Sequence, residues 1–139
     1  MLGKWISTTA RFSRIYFSRC FEPFGLSGGQ HIFLLCIAEH PGLTQDQLAE
    51  QLSMNKSTVA RVVPQLEHNG WIHRESAPQD KRVWKLFATA KTEALIPNIK
   101  QILKEWDCAL TNGLTEEENR HVEGILIHLA RNAMNAARE

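Results

Sequence analysis

The chain has 139 residues, 43% hydrophobic and 22% charged, with a formal net charge of +1 at pH 7, which fits one domain with a core of its own. Its longest apolar run, from Ile32 to Ala38, is far too short to span a membrane. Three cysteines (Cys20, Cys36 and Cys108) without CxxC spacing argue against a disulfide framework or a structural zinc site, and the lack of a secretory leader makes the expected location cytoplasmic.

The first helix is expected over about residues 4–21, with Trp5, Phe12, Ile15 and Tyr16 at helical spacing. Three capping boxes then mark helix starts: Ser27-Gly-Gly-Gln30, Thr44-Gln-Asp-Gln47 and Thr115-Glu-Glu-Glu118. With Pro23, Pro41-Gly42 and Gly113 punctuating the joins, further helices are expected over about 28–39, 44–51, 55–69, 90–111 and 115–137. Asn69-Gly70 is a helix stop. After it, residues 71–75 and 82–87 carry the aromatic and β-branched residues of strands, and Ala77-Pro78-Gln79-Asp80 between them is turn chemistry. The expected order is four helices, two strands, two helices: a mainly α fold with a small β-hairpin.

The helix at 44–51 and the helix at 55–69 lie close together in sequence. Leu48 and Leu52 on the first face a stripe of Val59, Val62, Val63 and Leu66 on the second. Ser57, Arg61 and His68 point the opposite way, with Thr58 on the flank. A helix pair locked in this manner, whose second member leads with Asn55, Lys56, Ser57, Thr58 and Arg61, is a helix-turn-helix with side chains suited to base edges in a major groove. Read from the pattern alone, such a pair also serves simply as packing with a wet outer face.

Charge is unevenly distributed. Between residues 53 and 91 seven bases face three acids, whereas the rest of the chain holds nine bases and twelve acids. A local excess of this kind points to a polyanion partner at one place. Since Gly70 alone separates the second helix from the hairpin, the hairpin must fold back beside that helix as a wing. Arg74, Lys81, Arg82 and Lys85 are its bases, and Asp80 stands two residues before Arg82, where its carboxylate can cap the turn or brace the guanidinium. A wing arginine suits the narrow, strongly negative minor groove.

These residues resemble the MarR family of winged-helix transcriptional regulators, most specifically over LAEQLSMNKSTVARVVPQLEHNGWIHRESAPQDKRVWKLFAT, from Leu48 to Thr89. Asp80-Lys81-Arg82 matches the family's Asp-x-Arg wing motif, and Leu66-Glu67-His68-Asn69-Gly70 matches its Leu-Glu-x-x-Gly helix end. The resemblance implies one winged helix-turn-helix domain, with a DNA-binding lobe at about 28–89 and a dimerisation region made from about 1–22 and 90–139. It further implies a homodimer, a palindromic operator in double-stranded DNA, and a small effector that weakens DNA binding; the likeness favours a repressor. The DNA contacts implied are Asn55, Lys56, Ser57, Thr58, Arg61, Arg74, Asp80, Lys81, Arg82 and Lys85.

Two departures stand out. Pro64 lies inside the recognition helix where the family often has Asp, which costs a backbone bond to Ala60 and predicts a bend. After the wing, Ala88-Thr89-Ala90-Lys91-Thr92 lacks the usual glycine, so the start of the fifth helix is expected to differ locally.

The outer helices carry their own signal. Leu95, Ile99, Ile102, Leu103, Trp106 and Leu110 form one stripe, and Val122, Leu126, Leu129 and Ala133 another. Periodicity alone leaves open whether they face a second chain or an internal core. No Walker loop, HExxH, GxGxxG or nucleophile elbow is present, so an enzyme is not expected, nor a cofactor or bound metal. The alternatives that stay open are a winged helix used for protein contacts without an operator, and a metal- or redox-responsive regulator using Cys20 and His31. For an effector, the candidates are Arg11, Arg14, Tyr16 and His31, which could orient an anionic aromatic molecule among the first, second and fifth helices.

Overall fold

A computed structural model describes residues 1–138. In chain order the elements are α1 (Leu2–Phe21), a short 3-10 turn (Glu22–Phe24), α2 (Gln30–Glu39), β1 (Leu43–Thr44), α3 (Gln45–Leu52), α4 (Lys56–His68), β2 (Ile72–Ser76), β3 (Trp84–Ala88), α5 (Ala90–Leu110) and α6 (Glu116–Arg138). The expected sequence of helices and hairpin strands is present, in a mainly helical fold with a small antiparallel sheet.

Capping chemistry accounts for most boundaries. At Thr44 both halves of the capping box form: the Gln47 N–H donates to Thr44 Oγ1 (3.1 Å) and the Thr44 N–H donates to Gln47 Oε1 (2.9 Å). At Thr115 the hydroxyl accepts from the Glu118 N–H (3.1 Å). The box at Ser27 forms only in part, the Ser27 N–H donating to Gln30 Oε1 (3.0 Å), and α2 begins at Gln30 rather than near residue 28. The physical reason is that Gly28 and Gly29 take φ of 56° and 77°, a left-handed conformation that cannot continue a right-handed helix. Downstream, α3 ends at Ser53, a non-glycine residue at φ 52° whose amide reaches the carbonyls of Ala49 and Glu50. The Met54 amide also bonds back to Ala49 (2.9 Å), so the tight turn between α3 and α4 is fixed by the end of α3 itself.

The helix stop at Asn69-Gly70 is a Schellman motif: the Trp71 N–H donates to the Leu66 carbonyl (2.9 Å), the Gly70 N–H donates to the Glu67 carbonyl (3.0 Å), and Gly70 takes the left-handed φ of 78°. From there β2 and β3 pair antiparallel, with Ser76 opposite Trp84, Arg74 opposite Leu86 and Ile72 opposite Ala88. The sheet has a third strand that the sequence reading did not include. Leu43 and Thr44 pair with Leu86 and Lys85, giving the order β1-β3-β2 and corrects the expectation of a two-stranded ribbon. Thr44 is therefore both the last residue of a strand and the N-cap of α3. The strands also shift by one or two residues, to 72–76 and 84–88, because a second turn closes from the Val83 N–H to the Asp80 carbonyl (3.0 Å) and takes Arg82 and Val83 out of the ladder.

The chain divides into two compact units, one from Met1 to Ile102 and one from Leu103 to the end of the described residues. In the first, α2 is buried around most of its circumference through His31, Phe33, Leu34, Cys36 and Ile37, as befits a central helix. It packs against α3 and β3, while α4 packs on α3 and β2. Leu48, Val59, Val63, Leu66, Ile72 and Leu86 are essentially inaccessible to solvent and join helix-turn-helix and wing in one core. Despite Pro64, α4 runs unbroken to His68, and Val63 and Leu66 on either side of the exposed proline remain fully buried. The missing glycine before α5 is made good by side chains. The Trp71 carbonyl accepts from the Thr92 hydroxyl (2.6 Å) and the Thr89 amide (3.1 Å), and Lys91 Nζ donates to the Asn69 carbonyl (3.0 Å) while lying 3.9 Å from the Trp71 ring centre.

In the second unit, the last turns of α5 and all of α6 bury little within one chain. No residue of α6 is buried, and Val122, Ile125, Leu126 and Ile127 are exposed.

Leu86 sits at the middle of the sheet with neighbours on both strands and no exposure. Leu86→Ala is expected to cost about 2–5 kcal/mol, read as a lower urea midpoint at unchanged slope. A loss below about 1 kcal/mol would show that the wing packs independently of the core.

Candidate nucleic-acid interface

The N-terminal half of α4 presents its polar residues outward. Asn55 is the N-cap in an extended conformation (φ −66°, ψ 142°), and its side chain makes no capping bond. No acidic residue occupies the first turn of α4, so the positive end of its dipole stays uncompensated within the helix. Ser57 and Arg61 are exposed and Thr58 is half-buried, as the helical wheel anticipates. Lys56 makes a surface ion pair with Asp46 at the start of α3 (3.3 Å), an acid the sequence reading did not single out. A pair this exposed contributes well under about 1 kcal/mol and yields readily to a phosphate.

The wing tip answers what an acid does among bases. Asp80 Oδ1 accepts from the Arg82 amide (3.0 Å) and from Arg82 Nε (3.1 Å), and Oδ2 accepts from Arg82 Nη2 (3.3 Å). These bonds hold the Asp80 carboxyl below the usual carboxylate range, with the guanidinium contact the larger cause. Even so, the Arg82 side chain remains 92% exposed. One carboxylate thus fixes both the backbone and the side chain of Arg82 while leaving its outer edge open to solvent. Lys81 is exposed beside it. Lys85 is half-buried on β3, between Thr44 on one strand and Glu75 on the other.

Arg74 stands differently. Its backbone amide donates to Glu67 Oε2 (3.1 Å), and Nε and Nη2 both donate to Glu67 Oε1 (3.1 and 2.9 Å). The guanidinium also lies 4.9 Å from the centre of the Trp84 ring. Sequence reasoning counted Arg74 among the free wing bases, because nothing local in the chain shows that Glu67, seven residues earlier on another element, turns toward it.

A second feature lies between α1 and α2. A cavity of about 280 Å³ is lined by Arg14, Phe17, Phe21, Gly28, Gly29 and His31, among others. His31 is 2% exposed, stacked on Phe21 with ring centres 4.3 Å apart, and its Nε2 has no hydrogen-bond partner. Burial pushes its pKa down from 6.5 to about 4, so it is neutral at physiological pH. Of the four effector candidates the structure brings Arg14 and His31 to this cavity. Arg11 is exposed on α1, and Tyr16 lies against Phe17 with the Arg19 guanidinium 5.7 Å from its ring centre. Cys20 is half-buried near the end of α1. Among the described residues no group of three or more His, Cys, Asp or Glu is placed to hold a metal ion.

A helix pair joined by a tight turn, followed at once by a β-hairpin packed on the second helix, defines a winged helix-turn-helix protein. The model of the MarR family matches residues 26–84. The chain is similar to the HTH-type transcriptional regulator YybA of Bacillus subtilis, 30% identical over 112 residues, covering 81% of this chain and 75% of that protein. The crystal structure of a MarR transcriptional regulator from Methanosarcina mazei Go1 superposes with a TM-score of 0.86 at 30% identity, covering 97% of both chains. A MarR family regulator from Listeria monocytogenes, solved with a 26mer DNA, has a TM-score of 0.82 at 27% identity, covering 97% of this chain and 87% of that one. The chain belongs to the MarR family of transcriptional regulators and is not an enzyme.

His31 provides a pH signature of the fold. Its folded pKa lies below the unfolded value, so between pH 6.5 and about 4 the unfolded chain binds the extra proton and stability falls as pH falls. The ring borders a cavity that water can enter, so the loss between pH 7 and pH 5 is expected to be about 1–2 kcal/mol rather than the full shift. Urea midpoints at the two pH values should show a smaller difference for His31→Gln than for the wild type. An unchanged difference would place the pH dependence elsewhere.

Proposed function

We propose that this chain is a cytoplasmic repressor that binds a palindromic operator in double-stranded DNA as a homodimer. The observation that carries the reading is the wing tip: Arg82, braced on backbone and side chain by Asp80 and otherwise open, beside a helix whose leading residues are polar and exposed. In this reading Ser57, Thr58, Arg61 and Asn55 of α4 meet base edges in the major groove. Lys56, Lys81 and Lys85 hold phosphates, and Arg82 enters the adjacent minor groove. Asp80 contributes by orienting Arg82 rather than by contacting DNA. The Listeria relative, whose structure contains DNA, supports the partner. No helix among the described residues is long and apolar enough to cross a membrane, which fits a cytoplasmic regulator.

Support for the homodimer comes from apolar surface left open within one chain. Trp5, Phe12 and Ile15 of α1 are 61%, 56% and 55% exposed, and Ile125 and Leu126 of α6 are 58% and 50% exposed. Exposed stripes of this length mark association surfaces. On this basis residues 1–22 and 90–139 form the dimerisation region and 28–89 the DNA-binding lobe. Two lobes tied together cover half-sites one helical turn, or a near multiple, apart, and the linkage raises affinity through effective concentration. The cavity beside Arg14 and His31 is the effector site in this reading. A cationic mouth and a neutral buried imidazole suit a small anionic aromatic molecule, whose binding would lower operator affinity.

Arg82→Ala is expected to weaken binding to a duplex that the wild type enriches from a random pool by at least about fivefold, while stability stays within about 0.5 kcal/mol. Asp80→Ala should weaken it as well, although it removes a negative charge from the surface that faces DNA. Tighter binding by Asp80→Ala would reduce Asp80 to a repulsive surface charge.

The homodimer is tested by sedimentation at micromolar concentration. The wild type should sediment as two chains, and Leu126→Asp as one, with operator binding lost. A wild type of single-chain mass with full operator affinity would overturn both the homodimer and the palindrome.

A further inference from the structure

We infer that Glu67 and Arg74 are positioning residues: together they fix the angle of the wing against α4, and through it the place of Arg82, without touching DNA themselves. The inference rests on the reading above that Arg82 reaches the duplex.

The geometry is that of a clamp between three elements. Glu67 sits in the last turn of α4, Arg74 in the middle of β2, and Trp84 at the start of β3. A single carboxylate takes three hydrogen bonds from Arg74, one of them from its backbone, and the same guanidinium rests on the Trp84 ring. β2 is an edge strand, paired with β3 alone, so it has one row of backbone groups that no strand satisfies. Glu67 takes up the Arg74 amide on that edge. The bonds from Arg74 hold the Glu67 carboxyl below its ordinary pKa, so the clamp stays charged at neutral pH.

Arg74 is also on the wrong side for a phosphate contact. In the ladder it shares a face with Ile72 and Leu86, the two residues that enter the core, while His73, Glu75 and Lys85 take the opposite face. Its side chain is 22% exposed, against 92% for Arg82. Two basic residues of one wing are therefore set up for different tasks.

A lever-arm estimate shows why the clamp matters. Bonds from Thr89, Lys91 and Thr92 anchor the base of the hairpin to the turn after α4, but they act only at that base. Five residues of strand extend about 16 Å, so a swing of about 10° at the base moves the tip by roughly 3 Å. That displacement breaks a contact in a groove about 6 Å wide. β1 steadies the ribbon on its β3 edge, at Leu86 and Lys85, but no strand holds its β2 edge. Glu67 grips it halfway along.

The test combines DNA affinity with amide exchange. Fluorescence anisotropy with the enriched duplex should give about a fivefold loss for Glu67→Gln in the wild-type background and less than about twofold in an Arg82→Ala background, since the clamp acts through Arg82. Hydrogen exchange without DNA should show Glu67→Ala accelerating the amides of residues 74–84, while those of Leu34 and Val63 in the core keep their rates. That pattern separates a loosened wing from a destabilised fold. Three results would overturn the inference: tighter binding by Glu67→Gln, equal fold-losses in the two backgrounds, or unchanged exchange in the wing. A salt slope reduced by about one for Arg74→Met but not for Glu67→Gln would also overturn it, by making Arg74 a phosphate contact. If Arg82→Ala leaves affinity unchanged, the DNA reading of the wing fails and the inference falls with it, whereas the exchange data still report whether the clamp holds the wing.

Discussion

The bond from the Trp71 amide to the Leu66 carbonyl ends α4 and, in the same stroke, sends the chain into β2. Everything distal to it inherits that geometry. Gly70 makes the reversal cheap because a left-handed residue is needed and only glycine adopts it freely. The Trp71 carbonyl then gathers donors from Thr89 and Thr92, so the outgoing strand and the start of α5 are tied to the same turn as the incoming strand. The wing is thus an extension of the end of α4, and its orientation is decided within a few ångströms of Leu66. A carbonyl this heavily used would leave buried donors unsatisfied if the turn opened, which concentrates the cost of distortion at one place.

Electrostatics on this chain work through arrangement more than through net charge. The excess of bases between residues 53 and 91 is modest, and three acids stand close to it. Two of those acids each engage one arginine, Asp80 with Arg82 and Glu67 with Arg74, and Asp46, from outside the segment, engages Lys56. None of these pairs is worth much as surface stability. Their effect is to reduce the freedom of long side chains, which is the larger part of what a flexible base loses on meeting a phosphate or a base edge. The difference between Arg82 and Arg74 is exposure: an arginine–carboxylate pair leaves one guanidinium facing solvent and turns the other inward.

The second unit shows the opposite economy. Its helices satisfy their backbone and cap themselves with Thr115, yet bury almost nothing within one chain. Amphipathic helices draw most of their stability from packing an apolar face. With its apolar stripe exposed within one chain, α6 lacks that contribution, which is the physical basis for proposing that a second chain covers it.

What the residues determined by themselves is whatever depends on neighbours three or four positions apart. The box at Thr44, the hydroxyl cap at Thr115, the Schellman stop at Gly70, the stripe of Val59, Val63 and Leu66, and the Asp80 brace on Arg82 were all legible in the sequence. Each is closed by bonds or contacts within one turn of chain. The late start of α2 was legible only in part, because the box residues are present but two glycines between them choose a left-handed path. Tertiary structure alone decided the rest. β1 is two residues long and exists because Leu43 and Thr44 find β3 some forty residues later, which no local pattern announces. Likewise Glu67 reads as an ordinary helix-end acid until the hairpin folds back and brings Arg74 to it. The orphaned nitrogen of His31 arises only when α1 lays Phe17 and Phe21 against α2. A sequence specifies bonds along the chain directly, but the pairing of distant groups depends on where a folded core has already placed them.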